Sequence, residues 1–153
     1  MITKLDNSDI NVANQIFTIF QRSYKIEAQL IGTLNFPPLL RNVDHIKGST
    51  TRFYGFSENK CLAAVIEIAI AIDNEHLAID SLTVDPDYFR KGIADKLINH
   101  VLGNVGLSVA TVETAVVNTP AIALYKKHGF VEFKRWTPAH GIEKLAMSIE
   151  SVL

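Results

Sequence analysis

Three neighbouring runs in the middle of the chain are dense in β-branched, aliphatic and aromatic residues: TRFYGF (51–56), CLAAVIEIAIAI (61–72) and HLAIDSLTV (76–84). Short polar segments, SENK and DNE, separate the runs and are typical of turns. Because strands joined by tight turns run antiparallel, the pattern predicts a three-stranded meander. Such a sheet has to be covered by helices from the rest of the chain.

The first helix is indicated by apolar residues at helical spacing, with a cap expected at Asn7 or Ser8 and an end near Ala28. The stripe consists of Ile10, Ala13, Phe17, Phe20 and Tyr24. The other expected elements are a strand over 1–6, a short helix within 38–46, a helix over 92–102 ended by Gly103 and Gly106, a strand over 108–117, a short helix capped by Thr119 and stopped by Gly129, and a final hairpin of 130–136 with 143–150. This order predicts one α+β domain over residues 1–153, with a mixed, mainly antiparallel central sheet flanked by helices.

Composition narrows the class of protein. Apolar residues make up 48% of the 153 residues and the formal net charge is −1, which argues against disorder and gives no basis for binding nucleic acid or an acidic membrane. The single cysteine, Cys61, is expected to be buried. Because it cannot form an internal disulfide, a cytoplasmic location is expected. The five histidines show no metal-ligand spacing, and no metal is expected.

The segment LTVDPDYFRKGIADKLI (82–98) reads as a strand, a turn and a helix start. Unpaired amides at a helix start bind anions, Arg90 and Lys91 add positive charge, and Gly92 permits close approach of a ligand to the backbone. By itself the segment is equally consistent with an anion-binding site and with an ordinary strand–helix junction. It matches neither a P-loop nor the dinucleotide-binding glycine pattern.

The segment VETAVVNTPAIALYKKHGF (112–130) is the second informative stretch, and periodicity alone would make its Tyr125 a core residue. Together and in this order, the two segments resemble the motifs of the GNAT superfamily of acetyl-CoA-dependent N-acetyltransferases. The likeness is densest over residues 77–133, and Phe89 departs from it at a position where the family has Arg or Gln.

The resemblance implies where acetyl-CoA, the only cofactor expected, would bind. The strands 76–84 and 108–117 would splay apart, and the pantetheine arm would lie between them against the backbone. The pyrophosphate would sit on the amides of the following loop, and a backbone N–H near Leu82 would hold the developing oxyanion. The implied cofactor-binding residues are Leu82, Thr83, Val84, Arg90, Lys91, Gly92, Ile93, Ala94, Asp95, Asn118 and Tyr125.

The resemblance also implies catalytic roles. Tyr125 would protonate the departing thiolate, since a phenol and a thiol have comparable basicity. Glu113 is the first candidate for the general base and Asp80 the second. Asp80 is expected to share an apolar strand face with Leu82, which would raise its pKa. Either carboxylate could instead form an ordinary ion pair, and Glu67 is a weaker candidate.

The acceptor side is expected to involve Tyr24, Glu27 and Phe36, although helix core and an irregular loop would explain the same residues. The resemblance implies direct transfer of an acetyl group to a primary amine of a small molecule or peptide. The alternatives are a non-catalytic acyl-CoA-binding or sensory domain and a protein N-terminal acetyltransferase. A homodimer is compatible with either function.

Overall fold

The computed structural model describes residues 1–104 and 108–150, except for the side chain of Asn74. Its strands are β1 (Ile2–Leu5), β2 (Arg52–Glu58), β3 (Cys61–Ala71), β4 (His76–Val84), β5 (Val109–Ala115), β6 (Val131–Trp136) and β7 (Lys144–Glu150). Its helices are α1 (Ile10–Ile31), α2 (Val43–Lys47), α3 (Ile93–Asn104) and α4 (Thr119–Lys127), with 3₁₀ turns at Pro37–Leu40, Ile72–Asn74 and Pro86–Tyr88. The expected order of elements is confirmed.

All described strands form one sheet in the order β1-β2-β3-β4-β5-β7-β6. Only the β4–β5 pair is parallel, and every other neighbouring pair is antiparallel. The mixed, mainly antiparallel sheet is therefore confirmed, and the meander is β2-β3-β4. The parallel pair arises because α3 crosses over between β4 and β5, as parallel strands require.

Helices cover both faces of the sheet. The apolar side of α1 packs with α2 against Phe53 and Val65. The side chains of α3 and α4 pack on the opposite face, against Ile66, Ile68 and their neighbours. Alternation along β3 decides which side chain meets which helix, because successive residues of a strand point to opposite faces.

Four local expectations about helix ends and burial are wrong. The cap of α1 is Asp9, whose Oδ1 accepts hydrogen bonds from the amides of Asn11 and Val12, and the helix continues to Ile31. The cap of α4 is Asn118 rather than Thr119, because the amide oxygen of Asn118 reaches the N–H of Ala121. Cys61 is exposed, since it is the first residue of β3 after a surface turn.

The end of α3 also differs from expectation. The helix includes Gly103 and ends at Asn104, and Gly106 lies outside the described residues. Among the described helices, none has the length and apolar character needed to cross a membrane.

Candidate active site

A cleft opens in the middle of the sheet where β4 and β5 separate. Their pairing ends at Ile79 and Val112, although β4 continues to Val84 and β5 turns its other edge to β7. The splay expected from the sequence is therefore present. The cleft forms a cavity of about 840 Å³ whose wall includes residues of β4, β5, α1, α3 and α4.

A β-bulge shapes the β4 side of the cleft. In the register with β3, Glu67 pairs with Ser81 and Ile68 pairs with Ile79, so Asp80 is an extra residue. The bulge shifts the alternation by one position, and Leu82 consequently packs on the same core as Ile79. That Asp80 and Leu82 share a strand face stays a prediction, because Asp80 is the extra residue of the bulge.

The loop before α3 presents a series of unpaired amides to the cavity. Within the described residues, no hydrogen-bond acceptor is assigned to the backbone N–H of any residue from Arg90 to Asp95. Arg90 and Gly92 adopt left-handed conformations, with φ of 64° and 72°. Left-handed residues among successive amides form an anion-binding concavity, and the dipole of α3 reinforces it.

The side chains around this loop leave the amides accessible. Phe89 is 43% exposed and lines the cavity, so the departure from the family motif puts an apolar ring there. Asp95 would oppose an anion, but its carboxylate is 2.7 Å from Nε2 of His128 and 3.2 Å from Nζ of Lys127. These contacts, the His128 hydrogen bond first, hold the pKa of Asp95 below its usual range despite some burial.

Tyr125 combines core packing with access to the cavity. The residue is 5% exposed, and its ring meets Phe130 edge-to-face at 5.6 Å between centroids. No hydrogen bond is assigned to its hydroxyl within the described residues. The hydroxyl is nevertheless not fully buried, because the one fully buried side-chain polar atom without a hydrogen-bond partner among these residues is Oε2 of Glu58. The phenol oxygen is therefore reached from the cavity. Burial and then the charge of Glu27 raise the pKa of Tyr125, which keeps the phenol protonated at neutral pH.

Asn118 and Glu27 join the expected cofactor side to the expected acceptor side. Nδ2 of Asn118 donates to Oε1 of Glu27 at 2.8 Å, while Oδ1 of Asn118 caps α4. Burial raises the pKa of Glu27, and the Asn118 hydrogen bond and the charge of Lys144 oppose that effect. Both polar ends of Asn118 are thus engaged within the protein.

The three candidate bases lie in different environments. Asp80 lines the cavity, and burial raises its pKa, followed by the charge of Glu67. Glu113 also lines the cavity, but its Oε1 is 3.0 Å from Nζ of Lys144. Glu67 is 2% exposed and forms an ion pair with Arg41. Of the three, Asp80 is the one that lines the cavity without an assigned ion pair in the described residues.

The cavity wall beside α1 contains all three residues that were expected on the acceptor side. Tyr24 and Phe36 meet edge-to-face at 5.8 Å, and Glu27 lies one turn along α1 from Tyr24. Sequence reasoning missed Ile26 and Leu30, which line the same wall and are 42% and 51% exposed. The sequence pattern that could have identified them is a pair of apolar residues four positions apart on the outer side of α1, next to Glu27.

In the described part of the chain, no group of three or more His, Cys, Asp or Glu residues could hold a metal ion. The polar residues of the cavity wall include carboxylates, phenols, hydroxyls, an imidazole and cationic side chains.

Comparison with known proteins gives sequence relatives in Bacillus subtilis and Escherichia coli. The chain is 34% identical over 143 residues to the UPF0157 protein YqkA of Bacillus subtilis, covering 93% of this chain and 41% of that protein. It is 30% identical over 82 residues to the [ribosomal protein bS18]-alanine N-acetyltransferase of Escherichia coli, covering 52% of this chain and 54% of that protein. The chain thus spans about half the length, or less, of these curated relatives.

Solved structures reproduce the fold at low sequence identity. The crystal structure of the Escherichia coli ribosomal-protein-S18-alanine N-acetyltransferase superposes with a TM-score of 0.75 at 20% identity, covering 98% of this chain and 92% of that one. The PaiA N-acetyltransferase of Thermoplasma acidophilum, solved with coenzyme A, gives a TM-score of 0.75 at 16% identity, covering 99% and 98%. The model of the acetyltransferase (GNAT) family matches residues 13–130. The chain therefore belongs to the GNAT acetyltransferase family.

Proposed function

We propose that the protein is an N-acetyltransferase that moves the acetyl group of acetyl-CoA directly to a primary amine. The observation that carries this proposal is that three features open on one cavity: the unpaired edge of β4, the free amides of Arg90–Asp95, and the hydroxyl of Tyr125. The relative solved with coenzyme A has the same fold, which supports a CoA thioester as the acyl donor.

Each part of the donor has a proposed position in the cleft. The backbone of Leu82–Val84 has no strand neighbour on its β5 side and is free to hydrogen-bond an extended pantetheine arm. The amides of Arg90–Asp95 would hold the pyrophosphate. Acetyl-CoA supplies an activated thioester carbonyl, and a backbone N–H near Leu82 would stabilise the oxyanion that develops on it.

Proton transfers complete the proposed reaction. Asp80 accepts a proton from the acceptor ammonium, directly or through water, and the free amine nitrogen then forms a bond to the thioester carbon. As the carbon–sulfur bond breaks, the hydroxyl of Tyr125 donates its proton to the leaving thiolate. The nitrogen loses a second proton as the amide forms, and this proton restores the hydroxyl of Tyr125. Asp80 releases the proton that it took from the ammonium to solvent, so each turnover releases one proton. No residue has to become acetylated.

The acceptor end favours an amine carried on an apolar body. Glu27 and Asp80 provide carboxylates for an ammonium group, while Ile26, Leu30 and Phe36 provide apolar wall beside them. A peptide N-terminus is a second candidate acceptor, because the chain is 30% identical over 82 residues to the bS18-alanine acetyltransferase. A small apolar amine and a peptide with an apolar first or second side chain would meet the same surface.

The test combines binding with turnover. Calorimetric titration with acetyl-CoA, CoA and dephospho-CoA is expected to give micromolar affinity for acetyl-CoA. Thiol release from acetyl-CoA is then measured with a panel of apolar amines, polyamines and short peptides, each checked for its acetylated product by mass spectrometry. Binding without turnover on any amine would favour an acyl-CoA-binding or sensory domain, and absence of binding would exclude both functions.

A further inference from the structure

We propose that Arg41 and Glu67 are positioning residues for the acceptor, which together hold the segment Phe36–Leu40 and the bulge of β4 in place. The inference rests on the proposed function. Neither side chain belongs to the cavity wall, whereas Phe36, Pro37, Pro38, Asp80 and Ser81 do. The pair therefore acts on the acceptor through its neighbours.

Glu67 is the centre of a buried hydrogen-bond network. Its two oxygens accept bonds from Nη1 and Nη2 of Arg41 at 2.6 and 2.8 Å, from Oγ1 of Thr51 at 2.6 Å, and from Oγ of Ser81 at 3.0 Å. Burial alone would raise the pKa of Glu67, but these bonds, led by Arg41, hold its pKa below the usual range. The carboxylate is thus ionised and engaged on both oxygens, which excludes it as a base.

Arg41 fixes the other end of the network. It directly follows the 3₁₀ turn Pro37–Leu40, and its guanidinium lies 5.6 and 5.7 Å from the ring centroids of Phe20 and Phe53. A planar guanidinium bonded by two nitrogens to one carboxylate has a defined orientation, which a lysine ammonium would lack. Gln21 anchors the same segment, since its Nε2 donates to the carbonyl of Leu39 at 3.0 Å.

The network meets the candidate base through adjacent residues. Ser81, bonded to Glu67, follows Asp80 in the bulge, so movement of Ser81 would move the carboxylate beside it. The charged groups that act on Asp80 come from three elements: Glu67 on β3, Arg41 before α2, and Glu113 on β5. Glu67 and Glu113 raise the pKa of Asp80, and Arg41 lowers it.

The cofactor loop lies outside the network. None of the hydrogen bonds assigned to Arg41, Thr51, Ser81 or Glu67 in the described residues reaches the loop Arg90–Asp95. Loss of the pair should therefore disturb acceptor binding more than donor binding, because the pyrophosphate contacts lie outside the network although Leu82 directly follows Ser81. A purely structural role would weaken both together.

The experiment is steady-state kinetics of Glu67→Gln, Arg41→Met and Arg41→Lys, with an amine that the wild-type protein acetylates. We expect the acceptor KM to rise about tenfold in Glu67→Gln and Arg41→Met, with the acetyl-CoA KM within about twofold of wild type. The matched control is Glu132→Gln, which removes a carboxylate paired with Arg135 on the exposed edge strand β6. It should leave both constants unchanged.

The pH dependence separates charge from geometry. The acidic limb of kcat/KM should move to lower pH in Glu67→Gln, because Arg41 remains without its counter-charge, and to higher pH in Arg41→Met. Arg41→Lys keeps the charge and loses the two-nitrogen contact. The acidic limb of its kcat/KM profile should therefore stay at nearly the same pH as in wild type, while its acceptor KM rises. Arg41→Lys is also the variant best suited to remain folded if the others do not.

The outcomes are distinct for the two proposals. An inactive wild-type protein would overturn the proposed function and this inference with it. An active wild type whose variants keep the acceptor KM, or raise the acceptor and acetyl-CoA KM by the same factor, would overturn the positioning role alone.

Discussion

At the scale of single residues, Tyr125 serves two requirements at once. Its ring packs beside Phe130, and its hydroxyl lines the cavity with no hydrogen bond assigned to it among the described residues. A proton donor in such a place is held still by packing, and desolvation keeps it protonated. The core and catalytic interpretations of this residue are therefore compatible.

Replacing Tyr125 by Phe should separate the core role of this residue from its proposed catalytic role. Because the hydroxyl has no assigned partner in the described residues, its removal should change the free energy of unfolding by less than about 1 kcal/mol. The kcat should fall at least tenfold, with acetyl-CoA affinity nearly unchanged. Steady-state kinetics and thermal unfolding measure both, and Tyr54→Phe, which alters a tyrosine packed on His100, is the control. Unchanged kcat would remove Tyr125 from the chemistry.

The two carboxylates of the cleft can be distinguished by pH. Asp80 must lose its proton to act, and its pKa is raised, so the acidic limb of kcat/KM should lie above the range of an ordinary aspartate. Asp80→Asn should abolish most activity and the limb with it. Glu113→Gln should keep the limb, because that carboxylate is paired with Lys144. The reverse result would make Glu113 the base.

The raised pKa of Asp80 also determines the direction in which this residue makes the stability of the fold depend on pH. A carboxyl whose pKa is higher in the folded state favours folding below its unfolded-state pKa and loses that contribution as pH rises through the folded-state pKa. Asp80→Asn should therefore unfold at a slightly higher temperature than wild type at pH 8, and the difference should shrink toward pH 4. A lower unfolding temperature at pH 8 would indicate that the ionised carboxylate stabilises the fold.

At the scale of elements, the loop between β4 and α3 is the proposed binding site for the pyrophosphate of the donor. Gly92 has a φ of 72°, and a Cβ built on it would meet no atom within 4 Å. The glycine is needed for its conformation, and the space beside it is open to a ligand. A side chain at this position would project beside the unpaired amides.

Gly92→Glu should therefore abolish acetyl-CoA binding, because a carboxylate would occupy the space of the pyrophosphate and repel it. Gly92→Ala is the matched control: it adds a strain of about 1–2 kcal/mol in the left-handed conformation but no charge. Calorimetric titration should show lost binding in the first variant and largely retained binding in the second. Undiminished binding by Gly92→Glu would place the pyrophosphate elsewhere.

At the scale of the whole molecule, ion pairs connect elements that are distant in sequence around the cavity. Arg22 on α1 is 3.0 Å from Asp85 and 3.2 Å from Asp87, at the end of β4. Asp95 on α3 is paired with Lys127 and His128 at the end of α4. These contacts join the acceptor side to the loop and the loop to the helix that carries Tyr125.

The Asp95 contacts should appear in the pH dependence of unfolding. A carboxyl whose pKa is lowered in the folded state stabilises the fold above its unfolded-state pKa and loses this contribution as pH falls through the folded-state pKa. Asp95→Asn should lower Tm by about 1–4 °C at pH 7 and have little effect near pH 2. Asp73→Asn, at an exposed turn, is the control. An equal loss at both pH values would point to packing instead of charge.

Local patterns in the sequence determined the order of elements, the class of sheet and the loop before α3. Turn residues, apolar periodicity and the glycine at a helix start act over a few positions, so they can be read without knowing what packs against them. The two motifs also brought Tyr125 and the loop Arg90–Asp95 to the same cavity, because each lies next to one of the two splayed strands.

Only the tertiary structure decided which side chains meet across the site. The bonds between Glu67 and Arg41 and between Asn118 and Glu27 join positions 26 and 91 residues apart. The orientation of Asp80 depends on a bulge in the β3–β4 register, which shifts the alternation that a regular strand would have. Strand register and long-range ion pairs result from the packing of the whole chain, and for that reason no local pattern in the sequence specified them.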